Sequence, residues 1–199
     1  MYSAVFEKNA KPVIDGLSLF LAGTDGTALE IGSGTGQHIL AFAQAFPALQ
    51  WLPSEHDAIH RHSIDAWRSF SNAATSKALA IDAAGDWCSP LADHLPLSLV
   101  LSLNVIHIAP VSVLDGILAG AGQCLKSGGY LVFYGPFTEN GTHTGDGNAM
   151  FDTRLRADNP AWGVRDVQAI ITQAGPLGLR HHDLIEMPSN NRLLVLRKG

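Results

Sequence analysis

The chain has 199 residues, of which 46% are hydrophobic and only 16% charged, a composition that excludes a disordered or linker-rich polymer and fits a single compact domain. Eighteen acidic residues against thirteen basic ones leave a formal net charge of -5, the wrong sign for gripping phosphate backbones, so nucleic acid is not expected as a partner. The apolar run from Leu17 to Ala22 falls short of a signal core and of the roughly 20 residues of a membrane span, so no membrane partner is expected either.

The elements follow in chain order. Val13, Ile14, Leu17, Phe20 and Leu21 recur at helical spacing after Pro12, which suits a first helical turn, and Gly23 stands where a C-terminal cap belongs. A short apolar run, Ala28 to Ile31, then meets the cluster Gly32-Ser33-Gly34-Thr35-Gly36. A helical pattern through Ile39, Leu40, Phe42, Ala43 and Phe46 ends at Pro47. That sequence predicts strand, tight loop, helix. Leu49 to Leu52 predicts a second strand, Asp57 to Phe70 a second helix and Ala78 to Ile81 a third strand. Leu97 to Leu103 is almost wholly apolar, as a strand buried on both faces should be, and a helix follows from Val111 to Leu125.

Tyr130 to Tyr134 gives a fifth strand. Residues 135 to 162 then carry four glycines and two prolines, a long insertion of the kind that usually carries function. A helix over Val164 to Ala174 precedes strands at His182 to Met187 and Arg192 to Arg197. Alternating strands and helices predict an α/β fold, a parallel sheet covered on both sides. Cys88 and Cys124 are too few for a disulfide framework and have no zinc-ligand spacing, which fits a reducing, cytoplasmic setting. His56, His60 and His62 lack a third ligand at a persuasive spacing, so no metal is expected.

The strand-to-helix loop is acid-x-Gly-x-Gly-x-Gly, from Glu30 to Gly36. A dinucleotide loop wants GxGxxG, and the position of its last glycine is here Gln37; a phosphate-cradling loop ending in Gly-Lys-Ser/Thr is absent as well. GxGxG headed by an acid is instead the loop used for S-adenosylmethionine, whose amino-acid end carries an amine for Glu30 to meet. Glu55 follows the second strand, where a side chain reaches ribose hydroxyls. Asp82, at the end of the third strand, is placed to face the adenine edge. The expected cofactor contacts are Glu30, Gly32, Ser33, Gly34, Gly36 and His38 around the loop, with Glu55, His56, Asp82, Ala83 and Asn104 at the neighbouring strand ends. For the loop the bland reading is a ligand-free turn, and for Asp82 a plain cap.

These residues resemble the class I S-adenosylmethionine-dependent methyltransferases. More narrowly, the chain resembles a small methyltransferase-like family of mostly unknown substrate, in the blocks LEIGSGTGQH from Leu29, NVIHIAP from Asn104, YGPF from Tyr134, HTGDGNAMFDTRLR from His143 and WGVRD from Trp162. It departs from that family's usual residues at Lys8, Gly32 and Glu55. The resemblance implies a single Rossmann-like domain over residues 1 to 199. It would hold a seven-stranded, mostly parallel sheet with a final antiparallel strand, helices on both faces and cofactor across the C-terminal edge.

Methyl transfer chiefly requires alignment of acceptor and methyl group, and a base only where the acceptor must lose a proton. His107, after the fourth strand, and His143, in the insertion, are the candidate catalytic bases. Asn9, Tyr134, Phe137, Asp152 and Arg154 are the candidate acceptor contacts, with Glu7 beside Asn9 at the chain start. The bland reading of the insertion is a loop pinned by Asp152 and Arg154 with its aromatics in the core. A small-molecule acceptor, with O, N or S as the methylated atom, is the first functional reading. A protein that binds S-adenosylmethionine or S-adenosylhomocysteine without turnover, in a regulatory role, is the second, and a nicotinamide oxidoreductase fails at Gln37. The low charge content hints at a homodimer.

Overall fold

The computed structural model describes residues 1–71 and 74–199. Helix α1 (Ala4–Leu21) precedes strand β1 (Gly26–Ile31), α2 (Gln37–Ala45), β2 (Leu49–Ser54) and α3 (Ala58–Ser71); β3 (Leu97–Leu103), α4 (Val111–Cys124) and the long β4 (Leu125–Glu139) follow. The chain then runs through β5 (Thr142–His143), α5 (Asp146–Asp158), β6 (Arg165–Asp166), α6 (Val167–Ala174), β7 (Leu179–Met187) and β8 (Asn191–Lys198). The sheet is mixed and eight-stranded, with its main path in the order β2-β1-β3-β4-β8-β7 and the two-residue β5 and β6 paired to the far end of β4. Strands β2, β1, β3 and β4 are parallel, and β8 is antiparallel to both of its neighbours.

This corrects the expected seven-stranded count. The third predicted strand, Ala78 to Ile81, contributes only an isolated bridge between Ser54 and Leu79, while β5 and β6 add two short strands. Helix α1 also begins earlier than expected, with Pro12 inside it instead of in its first turn. Proline removes the bond to the carbonyl of Lys8, and Lys8 is exposed, so water can serve that carbonyl. The insertion is not a loop: β4 extends into it and α5 fills its middle. Cys88 and Cys124 lie side by side in the core, with Cα atoms 6.1 Å apart.

Two cores flank the sheet. Val13, Leu17, Ile39 and Phe42 of α1 and α2 pack with Ala28, Leu99, Leu101 and Val132 on one face, and Ile117, Leu118 and Ile170 of α4 and α6 pack with Leu29, Ile31, Val100 and Leu131 on the other. Side chains alternate along a strand, so Glu30 projects to the same side as Ala28, toward α1 and α2. Every residue from Leu97 to Ser102 is buried, as the unbroken apolar run required. From β1 the chain goes to β2 on one side, and β3, entered later, lies on the other, so the C-terminal ends of β1 and β3 are the switch point at which such sheets usually hold a ligand. No helix among the described residues is long and apolar enough to cross a membrane.

Asp166 ties the end of this sheet to α6. Its Oδ1 accepts from the amides of Gln168 and Ala169 at 2.9 and 3.1 Å, and its Oδ2 from the Thr138 hydroxyl and the Gly141 amide at 2.9 and 2.7 Å. Burial pushes its pKa up, and the four hydrogen bonds more than offset that and hold it below the usual carboxylate value. Asp166→Ala is therefore expected to cost about 2 kcal/mol in chemical denaturation, because it removes a helix cap and leaves the Thr138 and Gly141 donors unpaired.

Candidate functional site

The glycine loop runs from the end of β1 between Ser54, at the end of β2, and Val105, just after β3. Gly32 and Ser33 donate their amides to the Ser54 carbonyl at 3.0 and 2.9 Å, which fastens the loop to the end of β2. The three glycines are there for different reasons. A Cβ on Gly32 would lie 2.3 Å from Val105 Cγ2, and one on Gly36 would lie 2.7 Å from the Cα of Ile64, so both are required by the protein's own packing. Gly34, at φ +54°, has nothing within 4 Å of the corresponding position and faces open space. Its amide donates to Glu55 Oε2 at 3.0 Å.

Glu30 lies beneath this loop. It is 1% exposed, and its Oε2 is buried with no hydrogen-bond partner. Burial raises its pKa to about 7; the Ser33 hydroxyl opposes that shift and the charge of Glu55 adds to it. Two carboxylates therefore act on one small volume, and one of them has a buried oxygen waiting for a donor. Such a site suits a cation and repels a pyrophosphate. Glu55 itself is half-buried and also accepts from the amides of His56 and Asp57 through Oε1, at 2.9 and 3.3 Å.

The remaining cofactor candidates divide. His38, on α2, is half-buried, with Nε2 unpartnered and its ring 5.2 Å from that of Phe6; burial lowers its pKa to about 4. Asn104 ends β3 in the left-handed region at φ 62° and donates its amide to the Tyr134 carbonyl at 2.8 Å. His56 is exposed. Asp82 is exposed too, and its Oδ1 accepts from the Ala84 amide at 3.0 Å in a local turn with no helix to cap; Ala83 is buried against Gly116 of α4.

On the acceptor side the placements are less uniform. His107 is 1% exposed, and neither ring nitrogen has a hydrogen-bond partner. Its ring stands edge-on to Phe137 at 5.1 Å, and a Cβ on Gly135 would come within 2.6 Å of Nε2. Burial, followed by the charge of Arg165, lowers its pKa to about 3, so the imidazole is neutral. Tyr134 and Phe137, expected to wall an acceptor, are 1% and 0% exposed and sit in the core, with Tyr134 Oη accepting from Asn191 Nδ2 at 3.0 Å.

The contact between Asp152 and Arg154 that the bland reading of the insertion required does not form. Helix α5 turns Arg154 to solvent and brings Arg156 one turn on from Asp152, where Nε donates to Oδ1 at 3.0 Å. Asp152 Oδ1 also accepts from the Val164 amide at 2.8 Å, and Oδ2 lies 3.5 Å from His143 Nε2. His143 Nδ1 is buried and unpartnered. Glu7 is exposed and accepts from the Tyr2 hydroxyl, and Asn9 is half-buried on α1.

Sequence reasoning passed over two residues that build this region. Gln37, used only to exclude a dinucleotide, accepts from the Ser3 amide at 2.6 Å and the Thr35 hydroxyl at 3.2 Å, and so joins the start of α1 to the glycine loop. Arg165 donates to the carbonyls of Ile106, Ala109 and Ala161, at 2.9, 2.7 and 3.0 Å, and fixes the segment around His107. Its place within the WGVRD block was the available signal.

The model of the DUF938 family, described as a protein of unknown function, matches residues 1–198. The chain belongs to the DUF938 family. Solved structures give the fold of this DUF938 member. The mitomycin 7-O-methyltransferase MmcR is 17% identical with a TM-score of 0.79, and 98% of this chain covers 55% of that one. An O-methyltransferase family protein from Burkholderia thailandensis is 12% identical, TM-score 0.78, with 98% and 57% covered. Human N-acetylserotonin methyltransferase, in complex with S-adenosylmethionine, is 14% identical, TM-score 0.77, with 98% and 53% covered. The chain spans little more than half the length of each, and the shared architecture is the α/β fold of S-adenosylmethionine-dependent methyltransferases.

Proposed function

We propose that this DUF938 member is a methyltransferase that takes its methyl group from S-adenosylmethionine and passes it to a small-molecule acceptor. The observation that carries the reading is the unpartnered Oε2 of buried Glu30 under a loop that opens to free space at Gly34. An ammonium there would supply the missing donor and draw Glu30 to its ionised form. Glu55, released from the Gly34 amide, has two oxygens for a pair of ribose hydroxyls. Bound S-adenosylmethionine supplies an activated methyl group; the chain aligns it and keeps water away. Methyltransferases of this fold that act on mitomycin and N-acetylserotonin support a small acceptor, as does the acidic net charge.

An oxygen or protonated nitrogen acceptor needs a base, and the reading assigns that role to His143. Asp152 Oδ2 stands 3.5 Å from its Nε2, and the reading gives the proton to Nδ1, which has no partner. His107, neutral and enclosed, is better suited to lining the site than to exchanging protons with solvent. His143→Ala is expected to lower kcat by roughly 100-fold with a hydroxyl acceptor, with S-adenosylmethionine affinity unchanged and no loss for a thioether acceptor. The deciding experiment is a screen of small hydroxyl, amine and thiol compounds for release of S-adenosylhomocysteine. Release with at least one acceptor supports the enzyme. Tight cofactor binding with no release from any acceptor favours the regulatory reading instead.

A further inference from the structure

At the edge of the sheet opposite the glycine loop, the chain gathers positive charge that the proposed methyl transfer does not use. Arg180 of β7 stands directly across from Arg197 of β8, and Arg197 is in turn paired with Tyr130 of β4. The Arg197 guanidinium lies 5.8 Å from the centre of the Tyr130 ring, and the His182 ring lies 5.4 Å from the same centre. Lys198 follows, with its Nζ donating to the Leu177 carbonyl at 2.9 Å. With the turn at Ser127 and Gly128 these residues line a depression of about 450 Å³, within the size range of small-molecule sites.

Like charges in directly opposed positions of an antiparallel pair are destabilising unless something stands between them. Among the described residues, no carboxylate lies within 4.0 Å of the charged nitrogens of Arg180, Arg197 or Lys198; the neighbouring Lys126, by contrast, has Asp25 at 3.8 Å. Gly199, which carries the terminal carboxylate, also lines the depression, outside that 4.0 Å range. The Tyr130 ring and the Gly128 carbonyl, which accepts from Arg197 Nε at 3.3 Å, hold one guanidinium in a fixed plane. A planar fork so held is prepared for two parallel hydrogen bonds to an oxyanion.

We propose that this depression is a binding site for a phosphate-class oxyanion, with Arg180 and Arg197 as its paired donors, and Tyr130 and His182 as an aromatic wall for whatever the phosphate is attached to. The site is separate from the glycine loop, at the starts of β4 and β7 instead of the ends of β1 and β3. It stands whether or not the methyltransferase reading does.

The test is calorimetric titration with inorganic phosphate and with phenyl phosphate, at ionic strength held constant with sodium chloride. Saturable binding of one equivalent is expected. Tighter binding of phenyl phosphate assigns the site to phosphate esters, and equal binding assigns it to free phosphate. Arg180→Gln and Arg197→Gln should each weaken binding at least about tenfold, whereas Lys11→Gln, a change in an exposed pair on α1, should not. S-adenosylmethionine affinity should be the same in all four proteins. In phosphate-free buffer Arg180→Gln should unfold at a temperature no lower than the parent, because one member of a repelling pair is gone. Absence of saturable binding by either probe, binding indifferent to both arginine substitutions, or a lower unfolding temperature that marks Arg180 as a structural contact would each overturn the proposal.

Discussion

Gly34→Val is expected to weaken S-adenosylmethionine binding by more than about 100-fold, nearly 3 kcal/mol, while far-ultraviolet circular dichroism stays that of the parent. The expectation rests on the difference between the three glycines. A side chain at Gly32 or Gly36 strikes Val105 or the backbone of Ile64, so loss of binding there would be inseparable from damage to the fold. No protein atom beyond its chain neighbours lies within 4 Å of a Cβ placed on Gly34, so an added side chain enters the space assigned to ligand. The cost to the fold is that of a β-branched residue at φ +54°, about 1 to 2 kcal/mol, which a chain of this size can bear. Calorimetry on the folded variant gives the answer, and undiminished affinity would remove the loop from the account.

The second large effect is a pH dependence carried by Glu30. Its folded pKa of about 7 stands above the ordinary value of 4.5, so folding favours the protonated form. Its contribution is complete below about pH 4.5, declines as pH rises, and is lost above about 7, a change of about 3 kcal/mol over that window. The buried imidazoles of His38 and His107, with pKa values lowered to about 4 and about 3, act oppositely: they favour folding above the unfolded value and lose that contribution as pH falls. Glu30 is therefore to be read as the difference between the parent and Glu30→Gln in denaturant titrations from pH 4.5 to 8. The parent should lose ground to the variant as pH rises. Cofactor affinity should move the other way, strengthening through pH 7 as the carboxylate ionises, and Glu30→Gln should flatten that slope. A difference that does not change with pH would mean that Glu30 is solvated and receives no cation.

What could be read from the sequence follows from how local each signal is. The buried strands at Ala28 to Ile31 and Leu97 to Leu103 announce themselves as apolar runs, and the glycine loop by its spacing; all are set by adjacent residues. The third strand was misjudged because Ala78 to Ile81 has strand composition but lies beyond β2 with a single bridge to it. Helix α5 was missed because Gly145 and Gly147 stand at its start, where glycine argues for a loop, and with the helix went the i, i+4 pairing that gives Asp152 to Arg156. The enclosure of His107 was out of reach for another reason. Gly135, Phe137 and Gly163 close around it from β4 and the segment before β6, and nothing near residue 107 in the chain records them.

The most direct test is a crystal structure grown with S-adenosylhomocysteine. The account predicts the nucleoside lying over Gly34, its ammonium within hydrogen-bond distance of Glu30 Oε2, and both ribose hydroxyls on Glu55, which has turned away from the Gly34 amide. Density for the nucleoside elsewhere on the molecule, or a Glu55 still bound to that amide with no ligand above it at saturating concentration, would contradict it.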